Sequence, residues 1–143
     1  MKLDREFEKC IKRRSLTKWE ADGSVVKQEL EAAEYDLRQA RRSSAENDHK
    51  WAIIQSYYTI FHCVKALVYN KGYKERSHYC LLIALRHLYC DSGELDLEFA
   101  EMFENVMDLR EEADYRMKVS REGANNALSC AEQFLELGRR TVQ

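Results

Sequence analysis

The sequence predicts an all-α fold: an antiparallel bundle of four to five main helices with a further N-terminal helix, in one domain spanning residues 1–143. Three observations carry this reading. The chain has no proline and only five glycines, at positions 23, 72, 93, 123 and 138. All-β sandwiches and barrels need turn residues every ~8–12 positions, and doubly wound α/β domains need glycine-rich loops. Hydrophobic residues make up 45% of the chain, enough for a small core, and they recur at helical spacing along most of its length. With 34% charged residues and a net charge of -2, the chain is neither a disordered tail nor a basic nucleic-acid scaffold.

The N-terminal stretch from Lys2 to about Ala21 carries Leu3, Phe7, Cys10, Ile11, Leu16 and Trp19 at loosely helical intervals. Residues 1–22 are accordingly expected to form an additional helix. Gly23 ends it, and Ser24 is the expected cap of a second helix. Val26, Leu30, Ala33, Leu37 and Ala40 form a regular apolar seam there, fading at the loop Ser43–Asp48. The third helix, about Asp48 to Asn70, is apolar on two faces. One row is Trp51, Ile54, Tyr58, Phe61, Lys65 and Val68; the other is Ile53, Tyr57, Ile60, Val64 and Leu67. Such a helix is surrounded by neighbours, so it is the expected centre of the bundle, with Trp51, Tyr58 and Phe61 in the core beside Leu85 and Leu109.

Ser77 caps a fourth helix bearing Leu81, Leu82, Leu85, Leu88 and Tyr89, broken at Asp91-Ser92-Gly93. The fifth, about Asp96 to Tyr115, presents Leu97, Ala100, Phe103, Val106, Leu109 and Ala113. The sixth starts near Ser120 and presents Ala124, Ala127, Leu128, Ala131, Phe134 and Leu135.

Charge is uneven. Residues 94–114 hold nine acids and one base, Arg110, a local charge of -8 that leaves +6 elsewhere. An acidic solvated helix face accounts for this, and such a face does not lie along a phosphate backbone. Basic residues cluster at Lys12-Arg13-Arg14 and at Arg38, Arg41 and Arg42. The N-terminus lacks an apolar signal segment, and no apolar run approaches the ~20 residues of a membrane span. The five cysteines are an odd number without a CxxC pair, which reads as free thiols in a reducing cytoplasm.

Four constellations could carry chemistry. His87 with Cys90, His62 with Cys63 and His78 with Cys80 lack zinc-site spacing, so no metal is expected. Tyr57, Tyr58 and Phe61 could stack on bases, but core packing is the commoner role of aromatics in so apolar a helix. His62 and Cys63 are adjacent and diverge by about 100° on a helix, which excludes a catalytic dyad. Arg110 and Asp114 are an i, i+4 pair on one helical face, and by spacing alone this is a structural ion pair.

Taken together, Tyr57-Tyr58 and Phe61-His62 on the central helix, the turn Gly72-Tyr73, the element Ser77-His78 and the run Leu109-Arg110-Glu111-Glu112-Ala113-Asp114-Tyr115 resemble the HEPN superfamily (higher eukaryotes and prokaryotes nucleotide-binding). The similarity is to its small stand-alone prokaryotic branch, related to toxin–antitoxin HEPN proteins, and covers about residues 24–140. It implies a homodimeric HEPN-like bundle that binds a nucleotide or RNA and partners a small nucleotidyltransferase in a toxin–antitoxin-type pair, with no cofactor. A metal-independent ribonuclease toxin and a purely structural dimer are the alternatives.

Active members of the superfamily carry Arg-x4–6-His, in which arginine stabilises the charged phosphorane and histidine moves the 2′-hydroxyl proton. Here Arg110 is followed at that spacing by Tyr115. Tyrosine titrates near 10 and is a poor base at pH 7. A formal Arg42-x6-His49 match falls on the predicted loop. Catalysis would therefore need Arg110 with a substitute base such as His78. The expected ligand groove comprises Arg110, Asp114, Tyr115, His78, Tyr58 and His62.

Overall fold

A computed structural model describes residues 2–116 and 118–142, with side chains from residue 5 onward. Leu3 therefore lies outside the described side chains. The elements in chain order are α1 (Lys2–Lys12), β1 (Leu16–Lys18), α2 (Gly23–Ala45), α3 (His49–Asn70), β2 (Tyr73–Glu75), α4 (His78–Leu85), α5 (Leu97–Tyr115) and α6 (Arg121–Thr141). A π-helical turn, Arg86–Cys90, extends α4. The fold is all-α apart from one two-stranded antiparallel ribbon, β1–β2.

The helices begin where short polar side chains cap the backbone. Asp48, Ser77, Asp96 and Ser120 accept from the backbone N–H groups of Trp51, Cys80, Glu98 and Gly123. At α2 the cap is Asp22, which accepts from Ser24 N; Ser24 itself is inside the helix. α3 lies at the centre, packed against α2, α6, α5 and α4. Cys80 to Leu85 of α4 are all buried, and Phe103 and Phe134 bring α5 and α6 into the same core.

Four expectations are corrected here. The N-terminal segment is not one helix to Ala21. α1 ends at Lys12, and Arg14 adopts a left-handed φ of 59°. Arg14 N then bonds Ile11 O, and Ser15 N bonds Cys10 O, closing the helix end. The chain continues as β1, where Leu16 is buried and pairs with Glu75 across the ribbon. That strand exists through a partner more than fifty residues away, which local periodicity cannot register.

Trp51 is not in the core: it is 47% exposed, because it sits in the first turn of α3 where fewer neighbours reach. Tyr58 and Leu109 are half-buried, whereas Phe61 and Leu85 are buried as expected. The cysteines are not all free. Cys10 and Cys80 form a disulfide across 70 residues, with Cα atoms 5.8 Å apart, tying α1 to the first turn of α4. Cys63, Cys90 and Cys130 are free thiols. Among the described residues no helix is long and apolar enough to cross a membrane.

Replacing Cys10 and Cys80 together by serine is expected to lower stability by roughly 4 kcal/mol, the chain-entropy value for a loop this long, read as a drop in urea midpoint under non-reducing conditions. Phe61→Ala should cost ~3–5 kcal/mol in the same assay, since the ring is buried against Tyr57 and His78.

Candidate functional site

Three helices meet around the hydroxyl end of Tyr57. Tyr57 is on α3, His78 is the first residue of α4, and Arg110 is in the last turns of α5. Helical spacing sets Arg110 and Asp114 on one face, and Arg110 Nε lies 3.1 Å from Asp114 Oδ2. The contact is an ion pair without hydrogen-bond alignment. The guanidinium carbon sits 5.3 Å from the Tyr57 ring centroid and 5.7 Å from that of Tyr58. Nη2 donates to the Tyr58 hydroxyl at 3.4 Å. One carboxylate and two aromatic rings thus fix the orientation of a single cation.

His78 is held as closely. Ser77 caps α4 just before it, and the Cys10–Cys80 disulfide anchors the same turn. Its ring packs 4.6 Å from Phe61, and its Nδ1 lies 2.5 Å from the Tyr57 hydroxyl. Burial, and then the positive charges of Arg110 and Lys65, hold its imidazole below the usual histidine range. It is neutral at pH 7.

The tautomer follows from Tyr57. Burial pushes that phenol far above its ordinary value, so it keeps its proton. Among the described residues the hydroxyl has one partner, His78 Nδ1. A buried hydroxyl without an acceptor costs about 1–3 kcal/mol, roughly five- to 150-fold in population. When Tyr57 donates to Nδ1, the remaining proton of the neutral ring is on Nε2.

Tyr57, His78 and Arg110 line a cleft of about 290 Å³ with Met107, Asp108, Glu111 and Tyr115. Tyr115 is 72% exposed at the rim. Burial and the acids Glu104, Glu111 and Glu112 raise the Asp108 carboxyl above its ordinary value. The cleft is lined by the Arg110 guanidinium and the His78 imidazole within a negative surround.

Residues 26–141 match the HEPN domain. The chain belongs to that family. It is also similar to two proteins of Methanocaldococcus jannaschii, both named "putative toxin". One is 28% identical over 108 residues, covering 74% of this chain and 74% of the relative. The other is 26% identical over 108 residues, covering 75% of this chain and 81% of the relative. All three helices around the cleft lie inside the HEPN match, whereas α1 and β1 lie outside it.

Of the six groove residues named from sequence, the HEPN domain brings Arg110, His78 and Tyr115 to the cleft, with Asp114 and Tyr58 holding the arginine. His62 belongs elsewhere. Its Nδ1 is 2.7 Å from Glu29 Oε2 and its Nε2 is 3.6 Å from Asp36 Oδ2, while Lys65 pairs with Glu29 at 3.2 Å. On α3 it lies one turn beyond Tyr58 on the same side of the helix, where the neighbour is α2. Arg42 and His49 flank the α2–α3 turn and do not line the cleft. Among the described residues no group of three or more His, Cys, Asp or Glu is placed to hold a metal ion.

Sequence reasoning gave Tyr57 only a packing role. Its ring does pack, on Phe61 and Phe103, but its hydroxyl joins His78 to the arginine's platform. The signal was available: a tyrosine in an apolar row still needs a partner for its O–H.

The depressed His78 pKa has a sign that can be tested. Between the ordinary value of 6.5 and the lower folded value, the unfolded chain binds more protons, so stability falls as pH drops through that window. His78→Gln is expected to flatten this part of the curve. Urea midpoints of wild type and variant at pH 7 and about pH 5.5 measure the difference.

Proposed function

We propose that this HEPN protein is the RNA-directed member of a toxin–antitoxin-type pair, binding a phosphodiester of RNA, or the phosphate of a nucleotide, in the Arg110–His78 cleft. The observation that carries this reading is the Tyr57–His78 hydrogen bond, which leaves Nε2–H as a donor beside the fixed guanidinium. Two preset donors match a phosphate oxygen pair, and they need no rearrangement when the anion arrives. The names of the two archaeal relatives support the toxin side of the reading.

The binding reading is preferred to catalysis on the same ground. Cleavage would have His78 take the 2′-hydroxyl proton while the 2′-oxygen attacks phosphorus and the 5′-oxygen leaves. That requires a free lone pair on Nε2, hence a proton on Nδ1. The Tyr57 hydroxyl would then lose its acceptor. What favours a second, ribonuclease reading is the position of a neutral imidazole next to Arg110.

The reading includes a homodimer and a small nucleotidyltransferase as partner. Tyr35 of α2 and Trp51 of α3 are exposed aromatics, and such surface supports pairing of two copies through the α2–α3 hairpin. A biological interface there should exceed ~1,000 Å². The expected site of action is the cytoplasm, where the buried Cys10–Cys80 bond is sheltered from reductants, with sulfur-bearing residues 1% and 2% exposed.

Purified wild type should bind short single-stranded RNA without cleaving it in EDTA, and Arg110→Ala should weaken binding by about tenfold or more. Metal-independent cleavage that is abolished by Arg110→Ala and by His78→Ala would establish the ribonuclease reading in place of this one. Light scattering should give twice 16.9 kDa, and a monomer at micromolar concentration would remove the dimer.

A further inference from the structure

The strongest surface not used by the cleft is basic. Residues 9–18 contain five bases, Lys9, Lys12, Arg13, Arg14 and Lys18, and no acid. The ribbon adds Lys74 and Arg76: Thr17 pairs with Lys74, and Arg76 N bonds Ser15 O at 2.8 Å. Lys12, Arg13, Arg14, Lys18, Lys74 and Arg76 are all exposed. Among the described residues none of these six makes an ion pair, whereas Arg41, Lys71, Arg86 and Arg139 each pair with a carboxylate.

Arg14 is the most informative of them. It occupies the left-handed position that closes α1, with φ 59°, where glycine carries no steric penalty and an arginine does. Its side chain is present against the backbone's preference. Beside it on the ribbon, Lys74 Nζ lies 4.8 Å over the ring of Trp19, which gives the surface an aromatic element.

This surface is joined to the cleft. Arg76 is separated from His78 only by the cap Ser77, and Cys10, four residues before Arg14, is bonded to Cys80, two residues after His78. α5 cannot extend the path, because residues 94–114 carry -8. A polyanion reaching Arg110 is favoured from the α4 side, across the ribbon.

We propose that the α1 end-turn and the β1–β2 ribbon form a track for single-stranded RNA that leads its backbone to the Arg110–His78 cleft. The inference rests on the RNA reading above and adds to it the contribution of a segment, α1 and β1, that lies outside the HEPN match. Phosphates lie on the arginines and lysines.

The test is fluorescence anisotropy of a labelled single-stranded RNA at several salt concentrations, with the full-length chain in its oxidised form. The variants are Arg14→Gly, the triple Arg13→Gln/Arg14→Gly/Arg76→Gln, and Arg110→Ala. Arg14→Gly should be as stable as wild type or more so, yet bind more weakly. That combination separates a ligand role from a structural one. The triple variant should lose about tenfold or more in affinity, and its log–log salt slope should shrink by about 2, at roughly 0.7 per phosphate contact. Triple-variant binding equal to wild type in a folded protein would overturn the track, as would wild type that binds no RNA. Wild type that binds vesicles of anionic phospholipid but not RNA would assign the surface to a membrane and overturn it as well. If Arg110→Ala binds normally while the triple variant is weakened, the track stands and the cleft reading falls. The reverse pattern leaves the cleft reading and removes the track.

Discussion

Fourteen residues of α3 are withdrawn from water, and a helix so enclosed can turn only a narrow strip outward. That strip is Trp51, Gln55, Tyr58, His62 and Lys65, at intervals of 4, 3, 4 and 3. Apart from Ser56, whose buried hydroxyl has no partner among the described residues, the polar side chains of α3 lie on it or find a partner inside the bundle. Tyr58 on the strip receives Arg110, and His62 and Lys65 receive the carboxylates of α2. Tyr57 is one position off the strip. Its ring is buried, and its hydroxyl is satisfied by the one imidazole that α4 presents at its start. The cleft is therefore a by-product of how the central helix meets its hydrogen-bonding obligations.

The same enclosure explains the electrostatics. Arg110 is the lone base within nine acids, so in water its charge would be largely screened by its neighbours. Among the described residues only Asp114 forms an ion pair with it, and the rings of Tyr57 and Tyr58 pack against the guanidinium. The guanidinium lines the cleft together with Asp108 and Glu111, so an anion entering it would meet one cation and two carboxylates. Such a site discriminates by geometry more than by net attraction. On the proposed RNA reading, a chain with a net charge of -2 draws its long-range attraction from another part of the molecule.

Much of this was legible in the sequence, for identifiable reasons. The seams of α2, α5 and α6 follow from 3.6-residue periodicity, and the caps Ser77 and Ser120 from side-chain chemistry. The Arg110–Asp114 pair follows from i, i+4 spacing, which needs no tertiary information. What escaped depends on contacts distant in the chain. β1 requires β2, the Cys10–Cys80 bond requires α1 folded onto α4, and the Tyr57–His78 bond joins residues twenty-one apart on different helices. The resemblance, through Phe61-His62, places His62 in the groove, and His62 does lie on one strip of α3 with Tyr58. The strip is real, but its two ends look onto different neighbours, α5 at Tyr58 and α2 at His62.

The N-terminal segment brings these threads together. Periodicity reads residues 2–21 as one helix, and its apolar positions are used almost as that reading expects: Phe7, Cys10 and Leu16 are all buried. The departure comes at Arg13-Arg14, where a left-handed residue ends the helix early and sends the chain back as a strand. Had α1 continued, the bases at 12–18 would be distributed around a cylinder, some against the body of the protein. The turn instead sets them on an exposed corner, and the ribbon aligns them with Lys74 and Arg76. One backbone conformation, unfavourable for the residue that adopts it, converts a helical charge pattern into an exposed basic corner beside the ribbon that leads to His78.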